Sequence, residues 1–138
     1  MVFMQDWEEE EKKTLTACET FVMKSVWNQE EDYNIQELVD AVNREYGRDY
    51  KRSTVVNFLI RLSDKGFVKI RHKGRMAFIH PLITEQEYTR EMLKEQKRFW
   101  FQGKASHLVA SLLEAEEIDK EERDVIRRML NELDEDAD

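Results

Sequence analysis

The chain is poor in the residues that build most chemical sites. Cysteine occurs once, at Cys18, so no disulfide can close within the chain and no multi-cysteine metal site can form. Neither HExxH nor CxxC spacing is present, and no glycine-rich phosphate loop follows a strand pattern. Its three histidines, His72, His80 and His107, are scattered. These absences exclude the common zinc, redox and nucleotide-dependent chemistries. The expectation is therefore a non-enzyme with no catalytic residues, no metal and no cofactor. No stretch approaches the ~20 apolar residues that span a bilayer. The start, MVFMQDWEEEEKK, has neither the basic opening nor the apolar run of a secretory signal. A cytoplasmic protein without a membrane partner is expected. Proline occurs once, at Pro81, and glycine four times, so each of these stops punctuates the chain.

At 138 residues and 41% hydrophobic, the chain can bury one modest core and carry an appendage. The formal net charge of −8 conceals an asymmetry. Residues 1–43 hold 3 basic and 11 acidic side chains, residues 44–75 hold 10 and 3, and residues 76–138 hold 9 and 16. A cationic middle flanked by acidic ends attracts phosphate locally, while the acidic remainder suppresses indiscriminate binding.

The cationic middle also carries the most structured pattern. In KRSTVVNFLIRLSDKGFVKIRHKGR, Val55, Phe58, Leu59 and Leu62 fall on one helical stripe. Ser53, Asn57 and Asp64 fall opposite them, flanked by Thr54, Ile60 and Arg61. Gly66 stops the helix. Alternating residues Val68, Ile70 and His72, a turn at Lys73-Gly74, and Met76, Phe78 and His80 then predict a hairpin. Helix, stop and two-stranded ribbon with a basic tip is the layout of a winged helix-turn-helix.

The flanking sequence completes the domain. Thr16-x-x-Glu19 is a capping box opening a first helix, with Phe21, Val22, Val26 and Trp27 on its apolar side. Tyr33-Asn34 begins a second helix, capped by Asn34, with Leu38, Val39, Val42 and Tyr46 inward and Gly47 closing it. Thr84-x-x-Glu87 is another capping box, with Ile83 and Tyr88 as a hydrophobic staple. It opens a long helix reaching Phe99, Trp100 and Phe101, which Gly103 breaks or bends. Leu108, Val109, Leu112 and Leu113 form a further stripe. A last helix capped by Asp119 carries Val125, Ile126, Met129, Leu130 and Leu133. The fold expected is mostly α (α+β). It comprises an acidic tail at residues 1–13, a winged-helix DNA-binding domain at 14–82, and a helical dimerisation region with an acidic end at 83–138. Apolar stripes outside a compact domain most simply bury themselves against a second copy. The residues expected there are Phe99, Trp100, Phe101, Leu108, Leu112, Ile126, Met129, Leu130 and Leu133.

The segments LTACETFVMKSVW, TVVNFLIRLSDKGFVK, KGRMAFIHPLIT and LLEAEEIDKEERDVIRRML resemble, in order and spacing, the BlaI/MecI penicillinase-repressor family. The likeness runs from about Leu15 to Leu133. It implies a homodimeric winged-helix repressor of transcription sitting on a palindromic operator in double-stranded DNA. Carried over by position, Lys51, Arg52, Ser53, Thr54 and Asn57 occupy the start of the groove-entering helix, with Arg61 one turn on, and Lys73 and Arg75 are wing contacts to the backbone. Asn57 has the chemistry to pair with adenine, and Ser53 and Thr54 to bond a base or a phosphate. Arg61 is equally suited to an internal role.

Two departures bear on release. The Asn-Phe bond cut in the penicillinase repressors is replaced by Ser111-Leu112, and the C-terminal Cys-x-Cys of copper-responsive relatives is missing. An inducer or protease is implied by the resemblance, but the sequence does not identify it. The rival reading is a winged-helix module for protein association without specific DNA binding, against which the cationic middle argues.

Overall fold

The computed structural model describes residues 14–115 and 118–136. The expected N-terminal tail, residues 1–13, lies outside them. Contacts divide the chain into two compact units, Met1–Met92 and Leu93–Asp138.

In the first unit, helix α1 (Ala17–Asn28) is followed by strand β1 (Tyr33–Asn34), helix α2 (Ile35–Tyr46), helix α3 (Arg52–Asp64), and strands β2 (Val68–Lys73) and β3 (Met76–Pro81). Helix α4 (Glu85–Trp100) then begins. Both α1 and α2 open with reciprocal capping boxes, Thr16 with Glu19 and Asn34 with Glu37, which satisfy otherwise orphaned amides. The antiparallel sheet has the order β1-β3-β2.

Strand β1 is where structure and sequence pattern differ. Tyr33 and Asn34 do not enter the helix; they pair with Ile79 and Phe78, and Asn34 still caps α2. The Gln29 side chain explains this, because its carbonyl accepts from the Tyr33 amide at 2.6 Å while its amide donates to the Ile79 carbonyl at 3.1 Å. A two-residue strand held by a side chain leaves no alternation to read.

The core joins Val22, Met23 and Val26 of α1, Leu38, Val39 and Val42 of α2, and Val55, Phe58, Leu59 and Leu62 of α3 to Phe67, Val68 and Ile79. The stripe predicted for α3 is thus the face that anchors it. Gly66, at φ +84°, lets the chain leave α3, and the Phe67 amide donates back to the Leu62 carbonyl at 2.9 Å. Phe67 is then buried with its ring edge-on to Tyr88 at 5.6 Å. On α1, Trp27 is half-buried and its indole N–H donates to the Ile83 carbonyl at 3.0 Å. Lys24 pairs with Glu85.

One ion pair runs through this core. Glu19 is fully buried, and its Oε1 accepts from the Thr16 amide at 2.9 Å and from Lys65 Nζ at 2.6 Å. Lys65 also donates to the Thr14 carbonyl at 3.0 Å. Burial alone would push the Glu19 carboxyl up. The hydrogen bonds from Lys65 and the Thr16 amide, with the Lys65 charge, outweigh burial and hold it below its ordinary value of 4.5.

In the second unit, α4 ends at Trp100, and α5 (Ala105–Ala115) and α6 (Lys120–Asp136) follow. The Asp119 side chain caps α6, accepting from the Glu122 amide at 2.9 Å. Neither α5 nor α6 has a buried residue.

Removing one partner of a buried pair strands the other charge. Lys65→Met is expected to destabilise the fold by about 3–5 kcal/mol, read from the urea midpoint. Because the folded-state pKa of Glu19 is depressed, its contribution is full above the unfolded value and is lost as pH falls through the folded one. Wild-type stability is therefore expected to drop below about pH 4.5. Melts from pH 7 to 3 should show a shallower acid limb for Glu19→Gln.

Candidate nucleic-acid interface

The connection from α2 to α3 fixes where the outward face of α3 points. Gly47 takes the left-handed conformation at φ 60° and ends α2. The Asn43 side chain then brackets Tyr50, donating to its carbonyl at 3.1 Å and accepting from its amide at 2.9 Å. Tyr50 lies edge-on to Phe58 at 5.4 Å, and the Arg48 guanidinium stacks 4.2 Å from the Phe21 ring centre. The turn is pinned from both helices it joins.

Lys51 is the N-cap of α3 and supplies no side-chain cap; no acidic residue occupies the first turn. Unlike α1 and α2, this helix leaves the positive end of its dipole uncompensated by its own side chains. Arg52, Ser53 and Asn57 are exposed along the outward face, and Thr54 is half-buried beside them. Ile60, 52% exposed, adds an apolar group. The Arg52 guanidinium is 3.4 Å from Gln36 Oε1, and Gln36 in turn donates to Asp40 at 3.0 Å, so α2 steadies one of the cations. Arg61 is exposed, with its guanidinium 5.4 Å from the Phe58 ring centre, one helical turn back. Lys73 ends β2 and Arg75 sits in the turn before β3, both exposed. Among the described residues Lys51, Lys73 and Arg75 have no ion-pair partner, so their charge is available to an external anion.

The uncapped start of α3 and the Gln36–Arg52 contact are absent from the sequence reading. The first had a signal, because the residue before the helix is Lys51 and no acidic residue lies within the first turn; the second needs the packing of α2 against α3. His80 Nδ1 lies 3.0 Å from an Asp32 carboxylate oxygen, pinning β3 to the loop after α1 at the edge of an open cleft that Trp27 also lines. Among the described residues no group of histidine, cysteine and acidic side chains could hold a metal ion. No helix among them is long and apolar enough to cross a membrane.

The expected dimerisation residues keep large exposed areas. Phe99, Trp100, Leu112, Met129, Leu130 and Leu133 are 48–66% exposed, while Phe101, Leu108 and Ile126 are half-buried. Leu93, Val109, Leu113 and Val125 add to this apolar surface. Phe99 and Trp100 pack edge to face at 4.9 Å.

Three helices, a pinned turn and a basic two-stranded ribbon define a winged helix-turn-helix protein with a helical extension. A family model described as penicillinase repressor matches residues 15–132, and the chain belongs to that family. The chain is similar to the solution structure of the DNA-binding domain of the repressor BlaI, at 25% identity over 55% of this chain and 89% of that one, with a TM-score of 0.47. It is also similar to monomeric Bacillus licheniformis BlaI solved with the blaP half-operator, at 25% identity over 54% and 88% of the two chains, with a TM-score of 0.45. No curated protein matches.

Base contacts and phosphate contacts separate in their effects. Asn57→Ala is expected to lower the preference for the true operator over random duplex by about 1–3 kcal/mol, the worth of a bidentate adenine contact. Lys73→Ala should instead weaken both by a similar factor. Parallel titrations of the two duplexes at fixed salt read the difference. An unchanged ratio for Asn57→Ala would show that this face does not enter the groove.

Proposed function

We propose that the protein is a sequence-specific transcriptional repressor that binds a palindromic DNA operator as a homodimer. The observation that carries this reading is the outward face of α3. It presents Ser53 and Asn57 beside cations without acidic partners, at a helix start left uncapped. Small hydrogen-bonding groups reach base edges, Lys51, Arg52, Lys73 and Arg75 neutralise phosphates, and the rigid turn keeps the two sets in register. Membership of the penicillinase-repressor family supports DNA as the partner.

Homodimerisation rests on the second unit. Its helices α5 and α6 hold no fully buried residue, yet they carry rows of leucine, valine and methionine. Such helices are marginal alone in water and gain stability by covering an apolar face. A second copy supplies a self-complementary one, and the resulting two-fold axis matches a palindromic site. In this reading residues 14–82 are the DNA-binding domain and residues 83–138 the dimerisation region. Release follows an inducer or protease acting elsewhere than at an Asn-Phe bond, because Ser111-Leu112 stands there.

Selection of bound sequences from a random duplex pool at moderate salt tests the assignment. Enrichment of a palindrome is the expected result; no enrichment by a folded dimer would move the assignment to a protein-association module. The interface has its own check. Trp100→Ala with Leu112→Ala removes apolar burial worth about 1.5–3 kcal/mol per side chain, and sedimentation equilibrium should record dimer dissociation at higher concentration. A wild type that is monomeric at micromolar concentration would refute the interface.

A further inference from the structure

Arg52 opens α3 at the end where the helix dipole disfavours a cation, and no acidic residue of the first turn offsets it. Its side chain is exposed and, among the described residues, has no ion-pair partner. What it has is a neutral partner from the preceding helix. Arg52 Nη1 donates to Gln36 Oε1 at 3.4 Å, and the Gln36 side-chain amide donates to Asp40 Oδ1 at 3.0 Å, one turn further along α2. A carboxylate only accepts, so Asp40 fixes the amide with its NH2 group toward itself and its oxygen toward α3. The two bonds run in one direction and polarise each other. Asp40 thus orients the guanidinium through an intervening amide instead of neutralising it, and the remaining guanidinium donors stay open. All three side chains are exposed, where such bonds add little to stability. Their effect is on the conformations that Arg52 can take.

We infer that Gln36 is a positioning residue for DNA binding: it holds the Arg52 side chain in advance at the start of α3, so that the cation meets a duplex without first having to be ordered. The inference rests on the DNA-binding reading above and adds to it a residue of α2 that acts through Arg52 and touches no nucleotide. Arginine has a long side chain with many rotamers, and ordering such a side chain is part of the cost of association. A chain that has restricted it beforehand has less freedom to lose. Glutamine is the residue this task requires. A glutamate at position 36 would pair with the guanidinium and cancel the charge a phosphate needs, and an apolar side chain would offer no acceptor.

The test is a double-mutant cycle of Gln36→Met and Arg52→Ala, read as affinity for random duplex and for the selected palindrome from about 50 to 200 mM salt. Methionine keeps the length of glutamine without its acceptor. Gln36→Met is expected to weaken binding to both duplexes by about twofold to tenfold, the effect of one side chain ordered in advance. Its slope of log affinity against log salt stays at the wild-type value, since no charge is lost. Arg52→Ala lowers that slope by about 0.9, one phosphate contact. In the Arg52→Ala background, Gln36→Met has no further effect. The urea midpoint of Gln36→Met stays at wild type, as for an exposed substitution that leaves the core intact. A loss that persists without Arg52 would overturn the inference, because Gln36 would then act directly or through the fold. So would unchanged affinity of Gln36→Met with Arg52 present, or an Arg52→Ala variant that keeps the wild-type slope. Wild type that binds random duplex as well as any selected sequence would defeat the repressor reading alone, because the cycle on random duplex still decides the role of Gln36.

Discussion

The buried carboxylate of Glu19 is the constraint on which the placement of α3 against α1 depends. It closes the capping box that starts α1 and reaches across to Lys65, the residue that ends α3. One oxygen thus ties α1 to the C-terminal end of α3, while the hydrophobic stripe of α3 fixes its rotation about its own axis. A charge enclosed this way is held only while its partner stays. The pair does not add much net stability over an apolar substitute; it disfavours packings in which α1 and α3 slide past one another. Its second oxygen, Oε2, finds no hydrogen bond among the described residues, a cost the arrangement tolerates.

The two units represent opposite solutions to apolar burial. Among the described residues up to Met92 the chain closes a core of its own, with aromatic rings at its seams, as where Tyr88 lies against both Trp27 and Phe67. Beyond that point large side chains stay uncovered and charged residues line the rest of the helices. In the proposed homodimer such a division separates what is preformed from what answers concentration: the outward face of α3 keeps its geometry in a single chain, whereas occupancy of a two-fold site depends on how many chains are present.

Much of this was legible because short-range signals agreed with one another. Thr16 with Glu19, Asn34 with Glu37 and Gly66 after Leu62 mark boundaries that the structure places within a residue or two. The ribbon turn was marked by Gly74, whose φ of +65° suits a residue without a side chain. What escaped has no local signature. Strand β1 exists because Gln29 bridges it to β3, the Glu19–Lys65 pair spans 46 positions, and Gln36 meets Arg52 only once α2 lies across α3. The residues proposed for the groove follow from the helical wheel and the resemblance; their freedom from acidic partners among the described residues follows only from the fold.

The bracket that Asn43 forms around Tyr50 has a kinetic meaning. In the proposed DNA complex a turn already locked in the free chain leaves little backbone ordering to accompany association, so the entropic cost falls on the ends of long side chains such as Lys51 and Arg75. Encounter then need not await a rearrangement, and correct and incorrect sequences would be engaged at similar rates. Discrimination would reside in how long the chain stays on each one.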